Sequence, residues 1–131
     1  GFSLNSGAMA TSLSPDDNNI VAIGASVPDM VIAINRIREM GGGQVVVDQG
    51  EVVAEIPLPL CGLMIDCSVS EIADMERHLN RAAHKLGTDL YHPFFYLMFL
   101  SITAIPQYAI TDMGVVERAT REIIDPLLKV Y

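Results

Sequence analysis

The stretch GGGQVVVDQGEVVAEIPLPLCGLMID, residues 41–66, decides the fold of this chain. Its triple glycine follows an apolar-periodic segment and predicts a helix cap in which one glycine adopts a positive φ. The β-branched run at 45–47 favours a buried strand. Residues 48–51 then predict a tight turn, because Gly50 supplies the left-handed conformation that a two-residue hairpin needs. The stretch therefore predicts a helix end followed by a β-hairpin.

The outgoing strand of this hairpin alternates between apolar and mixed positions, as a half-buried strand does. One face carries the residues Val52, Ala54, Ile56 and Leu58, and the other carries Val53 and Glu55. Pro57 and Pro59 end the ladder because proline cannot donate a hydrogen bond to a neighbouring strand.

The rest of the chain repeats this order of elements. Residues 7–13 and 19–25 predict two strands joined by a loop of turn-forming residues. Ser26 is the expected N-cap of a helix whose apolar stripe is Met30, Ile34 and Ile37, flanked by Val31 and Ala33.

After the hairpin, Ser68 and Glu71 have capping-box spacing for a second helix that ends near Gly87. Its expected apolar stripe is Ile72, Met75, Leu79, Ala82 and Leu86. Strand–strand–helix occurs twice, which predicts an α+β fold of layered, mostly antiparallel β-hairpins packed with helices.

The C-terminal third is harder to assign from its sequence. Residues 94–105 are apolar on all sides, so their periodicity leaves a buried strand and a buried helix equally open. Residues 109–111 predict a short extended segment. Residues 117–124 have helical character, and Pro126 is expected to end or kink that helix.

Composition narrows the class of protein. A length of 131 residues predicts a single domain. The composition, with 50% hydrophobic and 18% charged residues, indicates a folded chain. The net charge of −8 argues against binding to nucleic acid. No run reaches the roughly 18 apolar residues of a membrane span, and no signal peptide is visible, so we expect a cytoplasmic protein. Cys61 and Cys67 are then expected to be free thiols rather than a disulfide.

Few residues have the spacing of known catalytic or metal sites. His78 and His84 are six residues apart on one predicted helix, which does not place two metal ligands on one face. With His92 they are expected to lie at the surface or at helix ends. The paired carboxylates Asp16 and Asp17 lie in a loop between strands. They either form an Asp-rich turn or contribute to a functional site.

Three blocks in the same order carry a family resemblance: MVIAINRIREM at 30–40, the stretch at 41–66, and PFFYLMFLSITAIPQYAITDMG at 93–114. Together they resemble the C-terminal domain of bacterial and archaeal adenine deaminases of the amidohydrolase superfamily. The resemblance extends over about residues 7–114.

The resemblance points to the loop at 15–19 as a candidate site. Adenine deaminases carry a His-Asp-Ser-His-Asn run there, whereas this chain has Pro-Asp-Asp-Asn-Asn. Asp16 and Asn19 match the pattern and are the candidate catalytic residues. Both histidines are replaced, and neither proline nor asparagine can bind metal or transfer protons as histidine does.

The family's chemistry, by resemblance, takes place in a metal-binding (β/α)8 barrel that holds Mn or Fe and deaminates adenine to hypoxanthine and ammonia. Such a barrel needs about 250 residues, and its H-x-H motif is missing here.

We therefore expect an accessory domain, inactive alone and without its own cofactor, that packs on the barrel in cis or in trans. Residues 93–106 would be partly core and partly interface. We also expect a homo-oligomer with no membrane partner, and the resemblance leaves open whether a purine ligand binds. A free-standing ligand-binding or assembly module is the alternative.

Overall fold

The computed structural model describes residues 1–15 and 19–125 of the chain, and these contain three helices and seven strands. In chain order the elements are β1 (Ala8–Thr11), β2 (Val21–Gly24), α1 (Val27–Met40), β3 (Gly43–Asp48), β4 (Glu51–Pro57), α2 (Val69–Lys85), α3 (Pro93–Leu97), β5 (Tyr108–Thr111), β6 (Gly114–Glu117) and β7 (Glu122–Ile124). The predicted α+β class and the repeated strand–strand–helix order are confirmed.

The main sheet has the strand order β2-β1-β3-β4, and all of its neighbouring strands are antiparallel. The central pair β1 and β3 is almost completely buried, because helices cover both faces of the sheet. This position explains the continuous valine run at 45–47, since a strand covered on both faces needs apolar side chains on both. A register shift opposite Val46 and Val47 leaves Val53 of β4 as a bulge.

Alternate residues of β1 and β3 face different helices. On one side, Ala33 and Ile37 of α1 pack in a cluster with Ala10, Val45 and Val47. On the other side lies a larger cluster that includes Met9, Val46 and Ile56 from the sheet, Leu79, Ala83 and Leu86 from α2, and Phe94 and Leu97 from α3. The sheet is therefore the middle layer between α1 and the pair α2 and α3.

The packed face of α1 is rotated from the predicted stripe. Ile37 is buried as expected, but Met30 and Ile34 are only partly buried. Ala33, predicted to flank the stripe, is fully buried. The reason is geometric: Ala33 packs against the central strands β1 and β3, and its small side chain allows the closest approach of α1 to the sheet.

Both helix starts and the predicted glycine cap are confirmed. The Ser26 side chain accepts a hydrogen bond from the backbone N–H of Asp29, and Gly41 ends α1 with φ of 74°. At α2, the Ser68 side chain accepts from the N–H of Glu71 while the Glu71 carboxylate accepts from the N–H of Ser68. The Ser68 hydroxyl also donates to the Glu71 carboxylate at 2.6 Å, and this bond, followed by the one from the Ser68 N–H, lowers the pKa of Glu71.

The hairpin between β3 and β4 has the predicted two-residue loop. Gln49 and Gly50 both have positive φ, 52° and 85°, which is the conformation of a type I′ turn. The buried carboxylate of Asp29 accepts the N–H of Gly50 at 2.8 Å, so the start of α1 fixes the tip of the hairpin.

An ion pair joins α1 to the edge strand β4. Nε and Nη2 of Arg36 donate to the two carboxylate oxygens of Glu55 at 2.7 and 2.8 Å. These hydrogen bonds, helped by the attraction between the charges and opposed by burial, lower the pKa of Glu55. Because the pKa of Glu55 is lower in the folded state than in the unfolded state, the ion pair stabilises the fold at pH values above the ordinary pKa of a carboxyl group. That contribution is lost as the pH falls through the lowered value.

The C-terminal third forms a second, three-stranded antiparallel sheet in the order β5-β6-β7. The extended segment at 109–111 is confirmed, and α3 resolves the ambiguity at 94–105 in favour of a short helix followed by turns. The helix predicted at 117–124 is wrong. Arg121 adopts a positive φ of 61° in a turn, and the β-branched Ile123 and Ile124 pair with β6. The predicted role of Pro126 concerns a residue outside the described ranges.

No helix within the described residues is long and apolar enough to span a membrane.

The backbone at Gly42 approaches that of Gly62 so closely that a side chain cannot fit between them. A Cβ on Gly42 would lie 2.3 Å from the Cα of Gly62, and Gly42 has φ of 128°. We predict that Gly42→Ala lowers the free energy of unfolding by about 3 kcal/mol or more.

Gly41→Ala is the matched control, because Gly41 also has a positive φ but faces open space. It should cost only about 1 kcal/mol. Urea denaturation of both variants measures the difference, and equal losses would contradict the proposed close contact.

Candidate functional site

A cleft of about 380 Å³ lies beside α2, between the loop that follows β1 and the start of α3. We call it the α2 cleft. Its polar side chains are Gln44, Glu76, Asn80 and His92, and its apolar walls are Leu13, Leu79, Phe94, Phe95 and Met98. A neighbouring cavity of about 310 Å³ shares Leu13, Gln44 and Glu76, so the two form one groove along α2.

Gln44 is the buried polar residue of this cleft. It lies on β3 directly opposite Thr11 of β1, and 8% of its surface is exposed. Its Nε2 is 3.5 Å from Oγ1 of Thr11, which also accepts the N–H of Leu13 at 3.0 Å. A buried amide with one long hydrogen bond retains capacity for a ligand.

The start of the loop that follows β1 is fixed by Ser12. Its Oγ accepts the N–H of Gly43 at 2.8 Å and donates to the carbonyl of Gly62 at 2.6 Å. Two residues on, the buried Ser14 hydroxyl lies 2.5 Å from that of Ser101. Contacts to three separate parts of the chain therefore hold the base of the loop against the α2 cleft.

The two candidate catalytic residues are not brought together within the described structure. Asp16, with its neighbour Asp17, lies outside the described residues. Asn19 is exposed in the segment that leads into β2, and it does not line the α2 cleft. Leu13, at the start of the same loop, does line it.

The histidines and cysteines lie as predicted. His78, His84 and His92 are exposed on α2 or at the start of α3, and Cys61 and Cys67 are free thiols. Sequence reasoning missed that His92 borders the cleft. Its only signal was its position before Pro93, where a helix begins.

A second cavity of about 420 Å³ lies on the other side of α2, lined by His78, Arg81 and Lys85 together with Asp48. One carboxylate oxygen of Asp48 is buried there without a hydrogen-bond partner among the described residues. The cavity thus contains both cationic side chains and one carboxylate. Its charge therefore does not indicate whether a ligand would be an anion or a cation.

The described part of the chain contains no group of three or more histidine, cysteine, aspartate or glutamate side chains placed to hold a metal ion. The α2 cleft instead offers two amides, a carboxylate and an imidazole beside aromatic rings. Such a set can hydrogen-bond the edge of a planar polar ligand and contact its face.

The described fold defines a layered α+β domain with a polar-lined cleft. Residues 1–122 match the family model described as the adenine deaminase C-terminal domain. The chain therefore belongs to that family.

Similar proteins include adenine deaminase 4 of Rhizobium meliloti, 54% identical over 127 residues, which are 97% of this chain and 21% of that protein. Adenine deaminase 1 of Desulfotalea psychrophila is 49% identical over 98% of the chain and 22% of its own length. Adenine deaminase 1 of Latilactobacillus sakei is 42% identical over 99% of the chain and 22% of its own length. The chain thus spans about a fifth of the length of these relatives.

The hydrogen bonds of Ser12 give a direct test of how the loop is held. We predict that Ser12→Ala lowers the free energy of unfolding by about 1–3 kcal/mol, because the N–H of Gly43 and the carbonyl of Gly62 lose their partner. The amide of Gly43 should also exchange faster with solvent. Ser70→Ala, at an exposed position in the first turn of α2, is the matched control. If both variants unfold at the same urea concentration, Ser12 does not hold the loop.

Proposed function

We propose that this chain works as the C-terminal accessory domain of an adenine deaminase. The parent reaction is the hydrolytic deamination of adenine to hypoxanthine and ammonia. The observation that carries the proposal is the family match over residues 1–122, together with relatives that are about five times as long as the match.

In this proposal the chemistry belongs to an amidohydrolase barrel joined to the domain in cis. Hydrolytic deamination requires an activated water, and a bound divalent metal can supply it near neutral pH. The donor groups of residues 1–15 and 19–125 do not form a site that fits such a metal. The Mn or Fe ion is therefore assigned to the barrel, and no catalytic step is assigned to the described residues.

The loop after β1 is the part of the domain that we place nearest to the substrate. Its base is held rigidly by Ser12 and Ser14, and Asp16 and Asn19 are its polar candidates. In this proposal, Asp16 and Asn19 contact either the substrate or the mouth of the barrel's active site. The α2 cleft beside this loop is the proposed position of a purine ligand, whose ring Phe94 or Phe95 would contact and whose edge Gln44 would bond.

A second candidate function is a free-standing ligand-binding or assembly module. Two observations favour it: the α2 cleft has its own polar set, and Pro15 and Asn18 stand where the family carries histidines. In this alternative the cleft binds its ligand without any deamination.

Cytoplasmic location and homo-oligomer formation are further parts of the proposal. The first is supported by free thiols at Cys61 and Cys67, since reducing compartments maintain thiols. The second is supported by exposed aromatic side chains such as Phe95 and Tyr96, because exposed apolar patches often mark interfaces.

The activity of the isolated chain tests the accessory role. We predict that the pure 131-residue protein forms no hypoxanthine from adenine with added Mn²⁺, Fe²⁺ or Zn²⁺, because its described residues include no group of three or more histidine, cysteine, aspartate or glutamate side chains placed to bind a metal ion. Absorbance or chromatography of the purines measures the product. Adenine deaminase 4 of Rhizobium meliloti, assayed in the same buffer, serves as the positive control. Metal-dependent hypoxanthine from the isolated chain would contradict the accessory role.

A further inference from the structure

The strand register of the C-terminal sheet places its apolar side chains in one row. Ile110 of β5 lies opposite Val115 of β6, and Val115 lies opposite Ile124 of β7. Partners across an antiparallel ladder share a face. We call this face, with Tyr108 beside Ile110, the outer face.

The outer face is not covered by the rest of the described chain. Ile110 is 85% exposed and Tyr108 is 50% exposed. Neither apolar core of the protein includes a residue from β5, β6 or β7. A three-stranded sheet needs a covered apolar face to be stable in water, and Ala109 is the one residue of its described strands that is buried, so a further contact would stabilise this sheet.

The opposite face of the sheet is partly covered by its own chain, although Ile123 on that face is 58% exposed. Ala109 lies there and is buried. Arg118, at the end of β6, donates from its backbone N–H to the carbonyl of Gln107 at 2.9 Å and from its side chain to that of Ala104 at 3.2 Å. Among the described residues, the outer face therefore carries the most exposed apolar side chain of this sheet, Ile110.

Charge beside the apolar row specifies the partner further. Glu117 and Glu122 lie directly opposite each other on the outer face, and no cation of the described residues pairs with either. Like charges in a cross-strand pair destabilise a sheet. A partner surface that is apolar with a basic border would relieve this repulsion.

The length of the relatives indicates where such a surface comes from. About four fifths of each relative lies outside the match, while the family model extends through β5 and β6 to residue 122. Strands β5 and β6 therefore lie within the part of the chain that the family model matches, and the match ends at the first residue of β7. A second copy of this chain fits less well, because it would face the acidic pair with another acidic pair and a net charge of −8.

We propose that the outer face of the C-terminal sheet docks onto an apolar, basic-bordered surface of the catalytic part of an adenine deaminase. The inference rests on the proposed function and assigns the contact that holds the accessory domain in place.

The experiment compares two proteins. One is the isolated chain, and the other is full-length Rhizobium meliloti adenine deaminase 4 with its matching domain replaced by this chain. Hydrogen exchange of residues 108–117 is measured in both, together with adenine turnover of the full-length protein. We expect at least about tenfold slower exchange of this segment in the full-length protein, because docking raises the free energy of local opening.

Ile110→Lys should abolish this protection, since a charge at the centre of an apolar contact is costly to bury. Ile110→Thr keeps the β-branched shape and should weaken the protection partly. Both changes are at an exposed position, so they leave folding intact. The matched control is Val31→Lys, at an exposed apolar position on α1, which should leave the protection unchanged.

Equal exchange of residues 108–117 in the two proteins would overturn the docking inference even if adenine is turned over. Protection without turnover would support docking and count against the proposed function. A dimer of the isolated chain that Ile110→Lys converts to monomer would make a second copy the occupant and overturn the inference.

Discussion

The close contact between the backbones of Gly42 and Gly62 is the constraint on which the main body depends. Gly42 follows the last turn of α1, and its carbonyl accepts the N–H of Leu58, where β4 ends. The carbonyl of Gly62 accepts the hydroxyl of Ser12, which ends β1. One point of contact therefore fixes the end of the helix, both ends of the hairpin and the loop that crosses to α2. No side chain fits at Gly42, whereas Gly62 requires glycine because its φ is 73° and not because space is lacking.

The same contact positions the candidate site. Through Ser12 it holds the loop after β1 beside the α2 cleft, where Gln44 is buried and His92 borders the opening. The base of the loop is held by the hydrogen bonds of Ser12 and Ser14. These contacts support the proposed accessory role, in which the reacting groups belong to the barrel.

Sequence reasoning predicted what local chemistry determines. The glycine cap, the capping box and the hairpin loop each depend on a few adjacent residues. Alternation identified the buried face of β4 from Ala54 onward, but it was wrong for Val52, because the bulge at Val53 puts Val52 on the other face and leaves it exposed. The cleft could not be predicted, because Gln44, Glu76 and His92 come from three separate elements. The helix expected at 117–124 failed because Glu, Arg and Ala favour a helix locally, while pairing of Ile123 and Ile124 with β6 is a tertiary effect.

The measurement that tests the central claim most directly is the size of the native polypeptide that carries this domain. An antibody raised against the 131-residue chain, applied to an extract of the source cells, reports that size by immunoblot. The account predicts a band several times larger than 14.2 kDa, because the relatives are about five times as long as the matched domain. A single band at 14.2 kDa would contradict the account and favour a free-standing module.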